Sequence, residues 1–530
     1  MAPIHEDLFR SSRAFCESRL SETSVFRLLA RECHRLFPDE AFSDLFQDVG
    51  RRSIPPRIVA VVMALQRMEG LSDREAVEHF TFDLRWKYAA GCLDMEYPGF
   101  AHTVLVEMRE RLRKSKKPNR IFEVVLEVAK AAGMVGRKRI LDSTALYDAV
   151  ATQDTVTLIR SAIRGLLRVA SESLATELRA VLKRDDDYGS LSKPSCDWDD
   201  KAAREELIDA LAKDAYALLV LLDDRKLETE VTTAAGLLAT VLGQDLEQTE
   251  DGRFRIARRV APDRVISTVD PEARHGHKTA ARGFDGYKGH ISVDPDSELI
   301  VATSVTPGNA ADGAESKTLL KEAEKQPAAV APEKAEPAPV PLEVYGDASY
   351  GTAENLEHLE TIDAEPNVKV QAPPSREGVF SKEDFSIDLG AGTVCCPAGR
   401  VATVRPAADG GGMATFGESC KSCPFRNQCT DSPNGRSVRI HPKERTLARH
   451  RQRQKDPAWQ AKYRATRPKV ERKFGHLMRH RHGGRRARMR GRLRIEHDFA
   501  LLAAAINLRR LAKLGVSFDR EEQSWLAAEG

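Results

Sequence analysis

No stretch of about 18 consecutive apolar residues occurs in the 530-residue chain, so no membrane-spanning helix is expected. The opening stretch, "MAPIHEDLFRSSRAF", lacks an apolar leader core, and a reducing cytoplasmic setting is expected. In that setting the nine cysteines are not read as disulfides. No internal repeat is visible either, so a repeat architecture is not expected. What is present is a globular composition, 41% hydrophobic and 30% charged, on a chain long enough for about two to four domains.

The net charge is only +3, but it conceals two opposed segments. Between Ser171 and Asp251 there are 20 Asp/Glu against 9 Lys/Arg. Between Arg467 and Arg494 there are 12 Lys/Arg and three His, with Glu471 as the single acid. That basic density exceeds what solubility needs and points to a polyanion as partner.

Hydrophobic spacing divides the chain. Residues 1–130 read as helices, with apolar residues three and four apart in "SVFRLLARECHRLF" and "PRIVAVVMALQRMEG". Gly70 ends one helix, and Ser72 with Glu75 forms a capping box for the next, a pattern that fits a helix-turn-helix or a plain helical domain. "RILD" predicts a short strand with Asp142 at its end, followed by Ser143 and Thr144. Residues 151–260 return to helical periodicity and hold the acidic segment. "GYKGHISVDPDSELIVATSVTPGN" predicts two strands around a turn at Asp294–Ser297, and Asp285 and Asp294 are read as turn formers. A helix over about 312–325 leads into a proline-rich linker, "QPAAVAPEKAEPAPVP". "VYGDASYG" and "NVKVQA" predict two further strands, so that 136–150 and 265–374 supply the strands of a core. Residues 375–440 read as irregular and Cys-rich. Over 441–515 a basic helix, broken near Pro468, precedes an apolar packing helix.

Asp142 and Asp347 thus stand in similar settings, each an acid after an apolar strand. Alone, each is read as a helix N-cap. Side by side in one sheet they would repel unless a divalent cation lay between them, and Mg²⁺ favours a few carboxylates together with water and phosphate oxygens. Glu471, isolated among Arg467, Lys469, Arg472, Lys473 and Arg479, is either a helical ion-pair partner of Arg467 or the third carboxylate of such a site. Two Mg²⁺ ions held by Asp142, Asp347 and Glu471 would support in-line phosphoryl displacement, with the arginines holding nucleic-acid backbone.

"RILDSTAL", "ARHGHKTAARGFDGYKGHISVDPDSELI", "VTPGNAADG", "VYGDASYG" and "YRATRPKVERKFGHLMRH" together resemble the DDE-class bacterial insertion-sequence transposases, nearest the 1182 family. The resemblance implies an α/β fold: an RNase H-like mixed sheet flanked by helices, an all-α N-terminal domain, a helical insertion after the first core strand and a small Cys-rich insertion. It implies a catalytic triad of Asp142, Asp347 and Glu471 binding Mg²⁺ or Mn²⁺. It further implies cleavage of transposon ends and joining of the 3′-hydroxyl to target DNA, by a homodimer on DNA in the nucleoid. Terminal inverted repeats and target DNA are then the partners, and Arg467, Lys469, Arg472, Lys473, Arg479, Arg481, Arg485, Arg486, His277, Lys278 and Lys288 the expected DNA contacts. The related signature has Tyr, two residues, Arg, three residues, Glu, six residues, Lys. Here Arg467 and Glu471 fit, Tyr463 is one position early, and Met478 stands where Lys belongs, with Arg479 next to it.

Cys420-x2-Cys423 with Cys429, and Cys396 upstream, approaches a four-thiolate zinc pattern, and a structural Zn²⁺ would stabilise a stretch with little core. Reduced packing thiols are the alternative reading, and the one taken for Cys16, Cys33, Cys92 and Cys196. His275 and His277 are read as part of a basic loop touching DNA phosphate, not as metal ligands. Two other functions use the same residues: a DNA-binding protein that has lost catalysis, and a hydrolytic nuclease that never joins strands. A two-carboxylate glycosidase would leave the basic segment unexplained.

Overall fold

The computed structural model describes residues 11–46, 54–148, 151–279, 281–324, 340–483 and 485–528. Most of the proline-rich linker, 325–339, lies outside the described residues. Among those described, no helix is long and apolar enough to cross a membrane.

The chain is a mixed α/β protein built on one six-stranded sheet. Its strands are β1 (Lys138–Tyr147), β4 (Arg274–Thr279), β5 (Arg282–Val293), β6 (Ile300–Pro307), β7 (Leu342–Gly346) and β8 (Ala364–Val368); β2 (Leu246–Gln248) and β3 (Phe254–Ile256) form a separate hairpin. The order is β4-β5-β1-β7-β8, with β6 also on β5. β5 runs antiparallel to β1 and β6, whereas β7 and β8 run parallel to β1. The expected turn at Asp294 is present: its Oδ1 accepts from the backbone N–H groups of Asp296 and Ser297, both at 2.9 Å.

Alternation along β1 sends Ile140 and Leu141 to opposite faces. Ile140 joins a core shared by the N-terminal helices, β5 and β6, and the helix Arg492–Lys513. Leu141 joins a smaller core under the helices Ser316–Glu324 and Ala353–Thr361. Along the Arg492–Lys513 helix, Ala503, Ala504, Ala505 and Leu508 are fully buried. Asn507 is fully buried too, and its amide satisfies both backbone groups of Ile300, at 2.9 and 2.7 Å. A buried ion pair, Arg67 to Asp498 at 3.1 Å, ties the N-terminal helix Pro56–Glu69 to this central helix.

The Pro56–Glu69 helix ends at Gly70 in the left-handed conformation, φ 72°, and the Ser72–Glu75 capping box opens Asp73–Phe82 as expected. Gly70 is also sterically required, because a Cβ there would lie 1.9 Å from the Arg481 carbonyl oxygen. The turn between the two helices therefore packs directly on the basic segment. Residues 155–256 form four helices and the β2–β3 hairpin around a hydrophobic core of their own.

Six features differ from the expectations. β1 does not stop at Asp142, because Ser143–Tyr147 continue to pair with β5. Asp285 lies within β5 rather than in a turn. His275 and His277 lie in β4, paired with β5, not in a loop. The last core strand spans Ala364–Val368, earlier than "NVKVQA" suggested. Residues 375–440 are not irregular: β9 (Ser386–Asp388), β10 (Thr393–Cys395), β11 (Val401–Pro406), β12 (Gly412–Thr415) and β13 (Ser437–Ile440) form an antiparallel sheet. Its strands have three to six residues, too short for alternation to stand out. The basic helix is three helices, Glu444–Arg453, Pro457–Thr466 and Pro468–Leu477, each of the last two opened by a proline at its first position.

Candidate active site and nucleic-acid interface

Parallel pairing places the two strand acids together. Arg139 is opposite Val344 and Ile140 opposite Tyr345. Two residues further along each strand stand Asp142 and Asp347. Both line a cleft of about 770 Å³ whose other wall carries Glu471 on the Pro468–Leu477 helix. The same cleft holds His277, Lys278, Lys288, Arg467 and Arg485. The structure thus brings together the three expected acids and five of the expected cationic contacts.

Asp142 is deeply set. Burial pushes its carboxyl up to about 6; the Arg467 guanidinium and the Ser143 backbone N–H pull it down, and the charge of Asp347 pushes it up. Arg467 Nη2 meets Asp142 Oδ2 at 2.9 Å. The helical partnership of Arg467 with Glu471 is therefore replaced by a cross-element pair with Asp142, because the chain bends at Pro468 and Arg467 sits at the junction of two helices. Arg467 Nε and Nη1 are buried without a hydrogen-bond partner. Two guanidinium N–H groups thus stay unpaired beside an acid cluster, on different edges of the group, while Nη2, common to both bidentate edges, is taken by Asp142.

Asp347 does not cap the following helix. Its Oδ1 accepts from Ser349 N at 2.9 Å, while Thr352 is the N-cap of Ala353–Thr361. Tyr463 is turned to the end of β7. Its hydroxyl donates to the Gly346 carbonyl at 3.1 Å, fixing the strand end one residue before Asp347. Trp459 stacks on it at 5.0 Å between ring centroids. Lys369 Nζ lies over the same ring, 5.1 Å from its centroid. These residues line a second cleft, which shares Asp347, Arg467 and Glu471 with the first.

A fourth carboxylate, Asp312, went unassigned by sequence reasoning although it lies within the quoted "VTPGNAADG". It lines the acid cleft, accepts from Ser143 Oγ at 2.7 Å and pairs with Lys288 at 2.8 Å. Nothing in its spacing marks it, since it comes into place only when the segment after β6 folds back beside β1. Arg485 is held in the cleft by an added pairing: its carbonyl accepts from Tyr147 N at 2.8 Å, and Ala487 N donates to Tyr147 O at 2.7 Å.

The remaining expected DNA contacts lie elsewhere. Arg472 pairs with Glu298 at 2.7 Å, and Lys469 approaches Asp296 at 3.8 Å, so both face the β5–β6 turn. Arg486 is exposed beside Tyr147. Lys473, Arg479 and Arg481 line a separate pocket on the other side of the helix. Arg479 is thus not in the acid cleft; Met478 is.

Cys396, Cys420, Cys423 and Cys429 line one small cavity among Phe380, Phe385, Phe416 and Phe425. The Arg436 backbone N–H approaches Cys420 Sγ at 3.4 Å. Burial pushes the Cys429 thiol up, Arg436 opposes this, and the other three sulfurs add to it. Cys16 and Cys33 are buried packing residues as expected, while Cys92 and Cys196 are half-buried. Among the described residues no three His, Cys, Asp or Glu side chains converge closely enough to clasp an ion as they stand, and this holds for the carboxylates and the thiols alike.

Two family models match the chain. One, described as a transposase DDE domain, covers residues 395–512 and so includes Arg467 and Glu471 but neither Asp142 nor Asp347. The other, described as a transposase domain (DUF772), covers residues 16–111 in the N-terminal helices. No curated protein and no solved structure matches. Transposase-domain matches in both the N-terminal helices and the C-terminal part of the chain support its reading as a DDE-class insertion-sequence transposase.

Proposed function

We propose that this chain, a transposase of the 1182 type, cuts DNA at the ends of a mobile element and joins the freed 3′-hydroxyl to target DNA. The observation that carries this reading is the meeting of Asp142, Asp347 and Glu471 in one cationic cleft beside the buried guanidinium of Arg467. The strand order around β1 supports reading the sheet as RNase H-like, with the active centre where the parallel strands β1 and β7 carry their acids.

The donor set is all carboxylate oxygen, which suits Mg²⁺ or Mn²⁺ and not a softer ion. Bound there, the divalent ions would activate the attacking hydroxyl or water and stabilise the leaving oxygen. Arg467 would supply positive charge next to the transferring phosphate while its Nη2 holds Asp142. His277, Lys278 and Arg485 would bind flanking phosphates, positioning the strand without reading its sequence. Tyr463 fixes Gly346, and so the register of Asp347 against Asp142.

The test is incubation of the protein with linear duplex carrying the inverted repeats that flank its gene, with and without Mg²⁺. Nicked ends that become joined to a second duplex are the expected products. Cutting without joining would replace this reading with the nuclease, and binding without cutting with the DNA-binding protein.

The thiol cavity fits a structural Zn²⁺ in its donor chemistry, with Cys396, Cys420, Cys423 and Cys429 as ligands. Elemental analysis of the purified chain is expected to give about one Zn per chain, and Cys423→Ser to lower both the Zn content and the melting temperature. A folded, zinc-free preparation would remove the metal from this account.

A further inference from the structure

The Pro468–Leu477 helix has a second charged face. Glu471 lines the acid cleft, but Lys473, two residues on, lines a pocket of about 90 Å³ on the other side, closed by the C-terminal half of Arg492–Lys513. Lys473 is only 2% exposed, and no hydrogen bond or ion pair ties its ammonium to any described residue. Burying an unpaired ammonium is costly, so such groups normally carry a partner. Around it stand Arg479, Arg481, Arg510 and Lys513. Among the described residues Glu298 is the only acid in the lining, and Arg472 already holds it at 2.7 Å. Arg510 donates Nε to the Ser297 carbonyl, which leaves its charge uncompensated. The carbonyl end of the Pro468–Leu477 helix supplies at most about half a negative charge. The pocket therefore has a large excess of positive charge over one fixed, enclosed ammonium.

We infer that this pocket binds a phosphate group, and that its occupant is a backbone phosphate of a DNA segment outside the acid cleft. This rests on the transposase reading and extends it. The volume exceeds what one water needs and accommodates one tetrahedral oxyanion. Arg479, Arg481 and Lys513 are exposed at its rim, so a phosphate entering the pocket can remain part of a long polyanion. The rim also adjoins the turn after Pro56–Glu69, where Gly70 packs on Arg481. A duplex seated here would run from the N-terminal helices across the back of the helix that carries Glu471.

The experiment compares the full chain with Lys473→Met, and with Lys513→Gln, which alters only an exposed rim residue. Melting is followed while inorganic phosphate replaces chloride at constant ionic strength, and duplex affinity is measured against salt. Phosphate is expected to raise the melting temperature of the parent chain but not that of Lys473→Met. The slope of log affinity against log salt is expected to fall by about one in either variant. Phosphate stabilisation with an unchanged DNA slope would mean a free anion and overturn the DNA assignment. No phosphate effect and an unchanged slope would overturn the pocket altogether. A parent chain that binds no DNA would sink the transposase reading as well, which an unchanged slope alone would not.

Discussion

Asp347→Asn is expected to abolish Mg²⁺-dependent strand cleavage while leaving the fold and DNA binding nearly intact. The substitution keeps an oxygen for the Ser349 N–H, which Asp347 Oδ1 accepts at 2.9 Å, so the turn after β7 has no reason to move. What is lost is one negative charge beside Asp142 in the acid cleft. A loss of about 10³-fold or more in cleavage, roughly 4 kcal/mol of transition-state stabilisation, is the expected size. Single-turnover cleavage and gel-shift binding on the same duplex separate the two effects. Undiminished cleavage would remove Asp347 from the site. Asp142→Asn is a poorer probe, since it leaves the Arg467 guanidinium buried without its charge partner and confounds catalysis with stability.

That the two strand acids share one cleft was legible in the sequence; where their neighbours point was not. Asp142 and Asp347 were found because an acid after an apolar strand is conspicuous, and parallel pairing of β1 with β7 put them at the same level. That β1 runs on past Asp142 was not legible, because "DSTALY" contains no continuous apolar run, and its pairing with β5 is a non-local choice. Asp312 escaped for a similar reason: its position beside Ser143 depends on a fold-back of the segment after β6. The small sheet of 386–440 has strands too short to announce themselves.

The basic segment shows a different limit. Charge density identified it, yet density says nothing about direction. Arg472, Lys473 and Arg485 all read alike as phosphate contacts, but one is tied to Glu298, one is enclosed behind the helix, and one reaches the cleft. The break at Pro468 decides this distribution. Proline cannot donate to the preceding turn, so Arg467 becomes the end of one helix and the start of the next, turned toward Asp142.

Arg467→Gln should therefore cost both stability and chemistry, and the stability cost should depend on pH. Arg467 and Asp142 are 10% and 13% exposed in their side chains, so the pair is screened little by solvent. Removing one partner of such a pair typically costs about 3–5 kcal/mol, because the other charge is left uncompensated. Asp142 already titrates near 6, raised from its ordinary value by burial in spite of Arg467. Without the guanidinium its folded-state value must rise further, which penalises the ionised form more. The sign follows: at pH 8 the variant must either hold a bare buried carboxylate or take up a proton, so the deficit is large. As pH falls through 6 the parent's Asp142 also protonates, the attraction it owed to Arg467 fades, and the deficit shrinks. Well below pH 6 Asp142 is protonated in both folded chains, and since the unfolded chains titrate alike and cancel, the deficit is then at its minimum. Urea denaturation is expected to show a loss of about 3 kcal/mol at pH 8 and less than about 1 kcal/mol near pH 4. A deficit that does not change with pH would mean that Arg467 acts through packing alone. Cleavage at pH 8 should fall beyond what lost stability explains, since the Arg467 guanidinium is the charge assigned to the transferring phosphate. A folded Arg467→Gln that cleaves at the parent rate would withdraw that assignment while leaving the acid cluster in place.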